Sequence, residues 1–198
     1  MARLDTHALV RTWDILPSRG HTTAWAELAG GRLRARGRAV GLEPAPYWLA
    51  YELETGPDYV TRRLSVTVET HDTTIGLDLR RDDEGRWTGD GGPRPDLDGA
   101  LDCDLGLCPL TNTMPVLRHD LHRRPDAGAR DFLMAWVSVP DLAVSADRQT
   151  YTPLGQAPTG ARTIRYESDD FRSDVIFDAD GLVVDYPGLA TAVPGPRP

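Results

Sequence analysis

The chain has 198 residues, in which all 22 basic residues are arginine, against 30 acidic residues, for a formal net charge of −8. That length suits one substantial domain, and the negative balance argues against nucleic acid as a partner, since affinity there comes largely from neutralising phosphates. With no lysine present, Schiff-base and phosphate-loop lysine chemistry is excluded.

The opening stretch "MARLDTHALVRTWDILPSRG" carries Asp5, His7, Arg11 and Asp14, which interrupt any apolar leader segment. Nowhere does an apolar run approach the ~18 residues of a membrane span. The expectation is a soluble, cytoplasmic protein whose two cysteines are free thiols. Heavy use of Ala, Gly, Pro, Asp and Arg reads as the coding bias of a GC-rich bacterial genome. The basic run "RLRARGR" reads as an alternating strand with solvated arginines.

Period-two alternation dominates the middle of the chain. "YWLAYELET" sets Tyr47, Leu49, Tyr51 and Leu53 against Trp48, Ala50, Glu52 and Glu54. "RRLSVTVET" sets Leu64, Val66 and Val68 on one face, and "TTIGLDLRR" does so with Ile75, Leu77 and Leu79. Successive strand side chains point to opposite faces, so these segments predict half-buried strands. Turn residues in "AGGR", "ETGPD", "THDT", "DDEG" and "GDGGPRP" punctuate them. Between about Leu105 and Met114 a short helix is expected, started by Asp102 or Asp104 as N-cap and limited by Pro109. "RDFLMAWVSV" is apolar on both faces from Phe132 to Val137 and predicts a strand covered on both sides. "DADG" between "SDVIF" and "LVVDY" predicts a hairpin, with Gly181 at positive φ. After Leu189, "ATAVPGPRP" is expected to be a poorly ordered tail, leaving one domain over residues 1–189. The fold class is mainly β, a sandwich or barrel-like sheet.

The segment "LDCDLGLCPLTNTMPVLRHDL" holds both cysteines, Cys103 and Cys108. Zinc sites pair such cysteines with a second half-site of Cys or His, and the five histidines offer no convincing one. The spacing also differs from the C-x-x-C of thiol redox enzymes, so the cysteines read as small buried hydrophobes. No nucleophile elbow, zincin motif or phosphate-cradling glycine loop occurs, and no cofactor is implied. The tryptophans and tyrosines suit either a core or an amphiphile pocket.

"YELETGPDYVTRRLSVTV", "DGALDCDLGLCPLTNTMPVLR", "WVSVPDLAVSADRQTY" and "FDADGLVVDYPGL" resemble the bacterial putative glycolipid-binding family, formerly a domain of unknown function. The resemblance runs from about Trp25 to Leu189. It implies a spiral β-roll, a single highly curved antiparallel sheet wrapped around one central helix, and a homodimer. No catalytic residue transfers from it. Two departures stand out: Leu117 occupies the first of two basic positions, leaving Arg118 alone, and the chain beyond "DYPGL" is built of small residues and proline.

Matching segments and chemistry together nominate Trp25, Glu27, Arg62, Asp102, Asp104, Asn112, Arg118, Gln149, Tyr151 and Tyr166 as ligand-binding residues, through hydrogen bonds to a head group and stacking on sugar rings. The opposing interpretation is that Asp102, Asn112 and Arg118 form a buried polar network pinning the central crossing. The resemblance implies noncatalytic binding of a lipid or glycolipid-like amphiphile. The alternatives are an enzyme acting on a small sugar- or lipid-like substrate through pocket carboxylates, and a ligand-free homodimeric structural module.

Overall fold

Alternating apolar residues build one long sheet that rolls over its own edge. The computed structural model describes residues 6–156 and 160–195. The strands are β1 (His7–Ile15), β2 (Gly20–Ala29), β3 (Arg32–Gly41), β4 (Tyr47–Thr55), β5 (Thr61–Glu69), β6 (Thr74–Arg81), β7 (Trp87–Gly89) and β8 (Gly92–Pro93). After a crossing come β9 (Asp102–Leu105) and the helix α1 (Thr113–Arg118). The second half comprises β10 (Arg130–Val137), β11 (Val144–Gln156), β12 (Arg162–Ser168), β13 (Phe171–Phe177), β14 (Val183–Tyr186) and β15 (Ala190–Ala192).

The sheet order is β8-β7-β6-β5-β4-β3-β2-β1-β15-β14-β13-β12-β11-β10-β9, so the two halves join where β1 meets β15 near the chain ends. Every pairing is antiparallel except β9 with β10. As expected, Tyr47, Leu49, Tyr51, Leu53, Leu64, Val66, Val68, Leu77 and Leu79 face inward and are buried. Ile75, near the start of β6, is exposed. The arginines of β3 point outward opposite acidic partners: Arg34 stands across from Glu27 and Glu54, and Arg36 from Glu52. Inside, Tyr51 lies over Gly37 and Tyr47 over Gly41, where an added Cβ would stand 2.2 Å and 2.4 Å from the rings. Only glycine lets a ring lie against the neighbouring strand in this way.

The helix expected to begin at Asp102 or Asp104 begins later. Asp102–Leu105 is instead a strand beside β10, with Met134 opposite Asp102 and Trp136 opposite Asp104. Strand pairing satisfies that backbone, and the aspartates turn their side chains to tertiary partners instead of capping a helix. A 3₁₀ turn at Pro109–Asn112 leads into α1, which buries Met114 and Val116 inside the roll. The expected end of the roll at Leu189 also needs correction. Ala190–Ala192 pair with both β1 and β14, and Val193 N donates to Thr12 O at 2.8 Å, so pairing runs on until Pro194 removes the next donor. The last three residues of the expected tail, 196–198, lie outside the described residues. The hairpin at Gly181 is as expected, with φ 76.

Closure of the spiral depends on the crossing. Leu101 O accepts from Thr61 N at 3.0 Å, and Cys103 N donates to Thr61 Oγ1 at 3.0 Å, which brings the far edge of the sheet under β5. Trp87 Nε1 and Arg81 Nε each donate to Ala100 O at 3.0 Å. Arg118 then grips Asp102 with both terminal nitrogens, one at 2.7 Å, while its Nε donates to Asp58 O at 2.8 Å and Nη2 to Tyr59 O at 3.2 Å. Asp58 and Tyr59 both adopt positive φ, a strained conformation for such residues. Their carbonyls are therefore held by a side chain anchored in the core.

The Arg118 and Asp102 side chains are only 7% and 1% exposed. Removing one partner of such a pair leaves a buried, uncompensated charge, at a cost of about 3–5 kcal/mol. Arg118→Met should lower stability by that amount in urea unfolding, and adding Asp102→Leu should recover part of the loss. A single variant within about 1 kcal/mol of wild type would contradict this role.

Candidate functional site

Five of the ten nominated residues converge. Asp104 from β9, Asn112 from the 3₁₀ turn, Gln149 and Tyr151 from β11 and Tyr166 from β12 form or adjoin one polar floor. On β11 the alternation places Asp147, Gln149 and Tyr151 on the same face. Across β12, Tyr166 pairs with Tyr151 and Ser168 with Gln149.

The hydrogen bonds run in one direction. Asn112 Nδ2 donates to the Tyr151 hydroxyl at 2.9 Å, and that hydroxyl donates to Gln149 Oε1 at 3.3 Å. Gln149 Nε2 donates to Asp104 Oδ2 at 2.7 Å and to Asp147 Oδ2 at 2.8 Å, joining two carboxylates through one amide. Ser168 Oγ donates to Asp147 Oδ1 at 2.8 Å. Above this floor is a cavity of about 480 Å³, walled by Leu107, Trp136, Tyr166, Phe171, Tyr186 and Leu189. That volume falls in the ~300–1,000 Å³ range of small-molecule sites. Its aromatic wall continues a ladder of rings, with Tyr151 and Tyr166 5.4 Å apart and Tyr166 and Tyr186 5.7 Å apart.

Asp104 is buried and, among the described residues, has no arginine partner. Burial pushes its carboxyl above the usual range, the Thr111 and Gln149 hydrogen bonds pull it back, and neighbouring Asp147 adds to the rise. Thr111 Oγ1 lies 2.7 Å from Asp104 Oδ1 and 2.9 Å from Cys108 O, and its single hydrogen serves only one of them. When Asp104 takes up a proton it can donate to Thr111, which frees the Thr111 hydrogen for the Cys108 carbonyl. Burial also raises the phenols of Tyr151, Tyr166 and Tyr186, with the Asp104 charge adding to each, so all three remain hydroxyl donors.

The other nominated residues lie elsewhere. Trp25 and Glu27 sit on the outer face of β2, Trp25 with the Arg36 guanidinium 5.2 Å from its ring centroid. Arg62, at the start of β5, pairs with Asp83. These three do not line the cavity, because strand alternation turns the β2 pair outward and Arg62 is engaged at another edge. Asp102 and Arg118 are spent on each other, with burial raising the Asp102 carboxyl and Arg118 drawing it down. Not nominated but lining the cavity are Asp147, Ser168, Trp136, Phe171 and Tyr186. The period-two face of β11 carried the signal for Asp147. Cys103 and Cys108 are free and buried; burial pushes Cys108 up to about 11 and Cys103 higher still, which denies both a thiolate role. Among the described residues no group of three or more His, Cys, Asp or Glu is placed to hold a metal.

A native carboxyl held above its unfolded value keeps a proton that the unfolded chain has already released. The stability this confers is complete below the ordinary Asp value of ~3.9 and is lost as pH rises above it. Asp104→Asn lacks that slope, so the variant should gain on wild type as pH climbs from about 4 towards neutrality, read by urea unfolding across pH. Parallel stability curves would contradict a raised Asp104.

Comparison with known proteins agrees with this architecture. The model of the family described as putative glycolipid-binding matches residues 10–192. The fold is similar to the crystal structure of a DUF1089 family protein from Pseudomonas aeruginosa, at 30% identity and a TM-score of 0.70, covering 86% of this chain and 91% of that one. It also resembles a β-barrel-like protein of the DUF1849 family from Brucella abortus, at 9% identity and a TM-score of 0.50 over 97% of both chains, a likeness of fold alone. No curated protein matches significantly. With its family model spanning nearly the whole sheet and a relative of the same roll, the chain belongs to the putative glycolipid-binding family, formerly DUF1089.

Proposed function

We propose that this protein binds the head group of a lipid or glycolipid-like amphiphile without transforming it. The observation that carries this reading is the cavity itself, with apolar and aromatic walls over a floor of joined polar side chains. Small-molecule sites combine apolar enclosure with a few well-placed polar groups. A concave site with this lining supports binding over a ligand-free module. The family name points the same way, while fold alone does not establish function. No described helix is long and apolar enough to cross a membrane.

A second reading has one specific support. Asp104 is a carboxyl pushed towards its neutral form and joined through Gln149 to Asp147, and a neutral acid beside a second carboxyl is what glycoside cleavage requires. Gln149 and Thr111, however, occupy both Asp104 oxygens, and that engagement favours holding a ligand over passing it a proton.

Native mass spectrometry of protein purified from its own host distinguishes the readings. The binding account expects a copurified amphiphile whose mass is unchanged after hours of incubation. A bare protein from repeated preparations would overturn it, and conversion of the bound molecule would favour the enzyme.

A further inference from the structure

The charge lining the cavity is one-sided. Asp104, Asp147 and Asp169 line it, and among the described residues no arginine or histidine does. The buried cation of the crossing, Arg118, is engaged by Asp102 and two backbone carbonyls and does not reach this space. An anionic head group entering here would stand beside the half-buried Asp147 and the exposed Asp169 with no cation lining the space to compensate, and like-charge contacts of this kind weaken binding by ~10-fold or more.

Two neighbouring features indicate what the cavity does accept. Tyr186 is 5% exposed and lines the cavity, and among the described residues its hydroxyl has no hydrogen-bond partner. The residue borders the space, so its hydroxyl is a donor available to a bound group. Asp147 offers carboxylate oxygens that already accept from Ser168 and Gln149 and have lone pairs to spare. The rings supply apolar contact. Tyr166, Phe171 and Tyr186 touch one another, with centroids 5.7 to 6.3 Å apart and planes inclined by 43° to 65°. They give an apolar wall of ring edges and faces against which the apolar face of a sugar can pack.

We infer that the cavity selects an uncharged, hydroxyl-rich ring and turns away anionic head groups, with Asp147 and Asp169 setting the charge preference and Tyr186 supplying the open hydrogen bond. This rests on the amphiphile-binding reading and adds its chemical selectivity. Hydroxyl hydrogens of the ring donate to Asp147, a ring oxygen accepts from Tyr186, and the apolar face of the ring stacks on the aromatic wall. The alkyl part leaves past Leu107 and Leu189.

Three probes that share an octyl chain and a glucose skeleton test it by isothermal titration at low salt, below their micelle concentrations: octyl glucoside, octyl glucuronide and octyl 2-amino-2-deoxyglucoside. The neutral glucoside should bind, and the anionic glucuronide should bind at least ~10-fold more weakly. Asp147→Asn combined with Asp169→Asn should narrow that ratio to within about threefold. The wild-type comparison stands even where the double variant fails to fold. Glucuronide binding as tightly as glucoside would overturn the inference while leaving amphiphile binding intact. So would the amino sugar binding ~10-fold tighter than the glucoside, which would mark a cation site. Binding of none of the three would overturn the amphiphile reading itself.

Discussion

The roll depends on one buried ion pair. Asp102 and Arg118 meet where the far edge of the sheet passes beneath β5, and Arg118 also holds the strained carbonyls of Asp58 and Tyr59. Without that grip, the edge strand would keep its pairing with β10 and its hydrogen bonds to Thr61 but lose the anchor that joins it to the Asp58–Tyr59 turn. The pair therefore contributes more through geometry than through Coulomb energy, since burying two charges offsets much of their attraction. It fixes the height at which β9 runs, and with it the position of Asp104 two residues further on.

That register separates two kinds of polar chemistry within one short strand. Asp102 faces a cation and is locked. Asp104 faces neutral donors, Thr111 and Gln149, and looks towards a cavity. The alternative readings of the crossing, as ligand site or as structural network, are thus divided between its residues. Asp102 and Arg118 pin the fold, while Asn112 and Asp104 join the floor of the cavity through Tyr151 and Gln149. Among the described residues the cavity is lined by acid and no base, and Arg118, the cation of the crossing, is paired with Asp102.

Much of this was legible in the sequence because strand alternation is a strong, local signal. The inward tyrosines and leucines of β4 and β5 and the outward arginines of β3 follow from period two alone. Asp104, Asn112, Gln149, Tyr151 and Tyr166 stand out by residue chemistry and family resemblance, and their meeting is a property of the folded sheet. Three features depart from the reading of the sequence. Asp102–Leu105 looked like a helix start because aspartate is a good cap, and only tertiary pairing with β10 made it a strand. Trp25, Glu27 and Arg62 were drawn in by residue type, although alternation on β2 already placed Trp25 and Glu27 opposite its buried residues. Asp147 and Ser168 were passed over because polar residues on a strand are ordinarily solvent-facing, and the curl that turns them inward is a global property of the sheet.

The closed spiral leaves an acidic, aromatic-walled cavity, which we propose is the seat of a neutral sugar ring. A crystal structure of the protein grown with octyl glucoside would show whether the ring sits there. Density is expected for one ring stacked on Tyr166 and Tyr186, with hydroxyls within hydrogen-bond reach of Asp147 and Tyr186. Density confined to the outer face near Trp25 and Arg36, or a cavity filled by its own side chains, would contradict it.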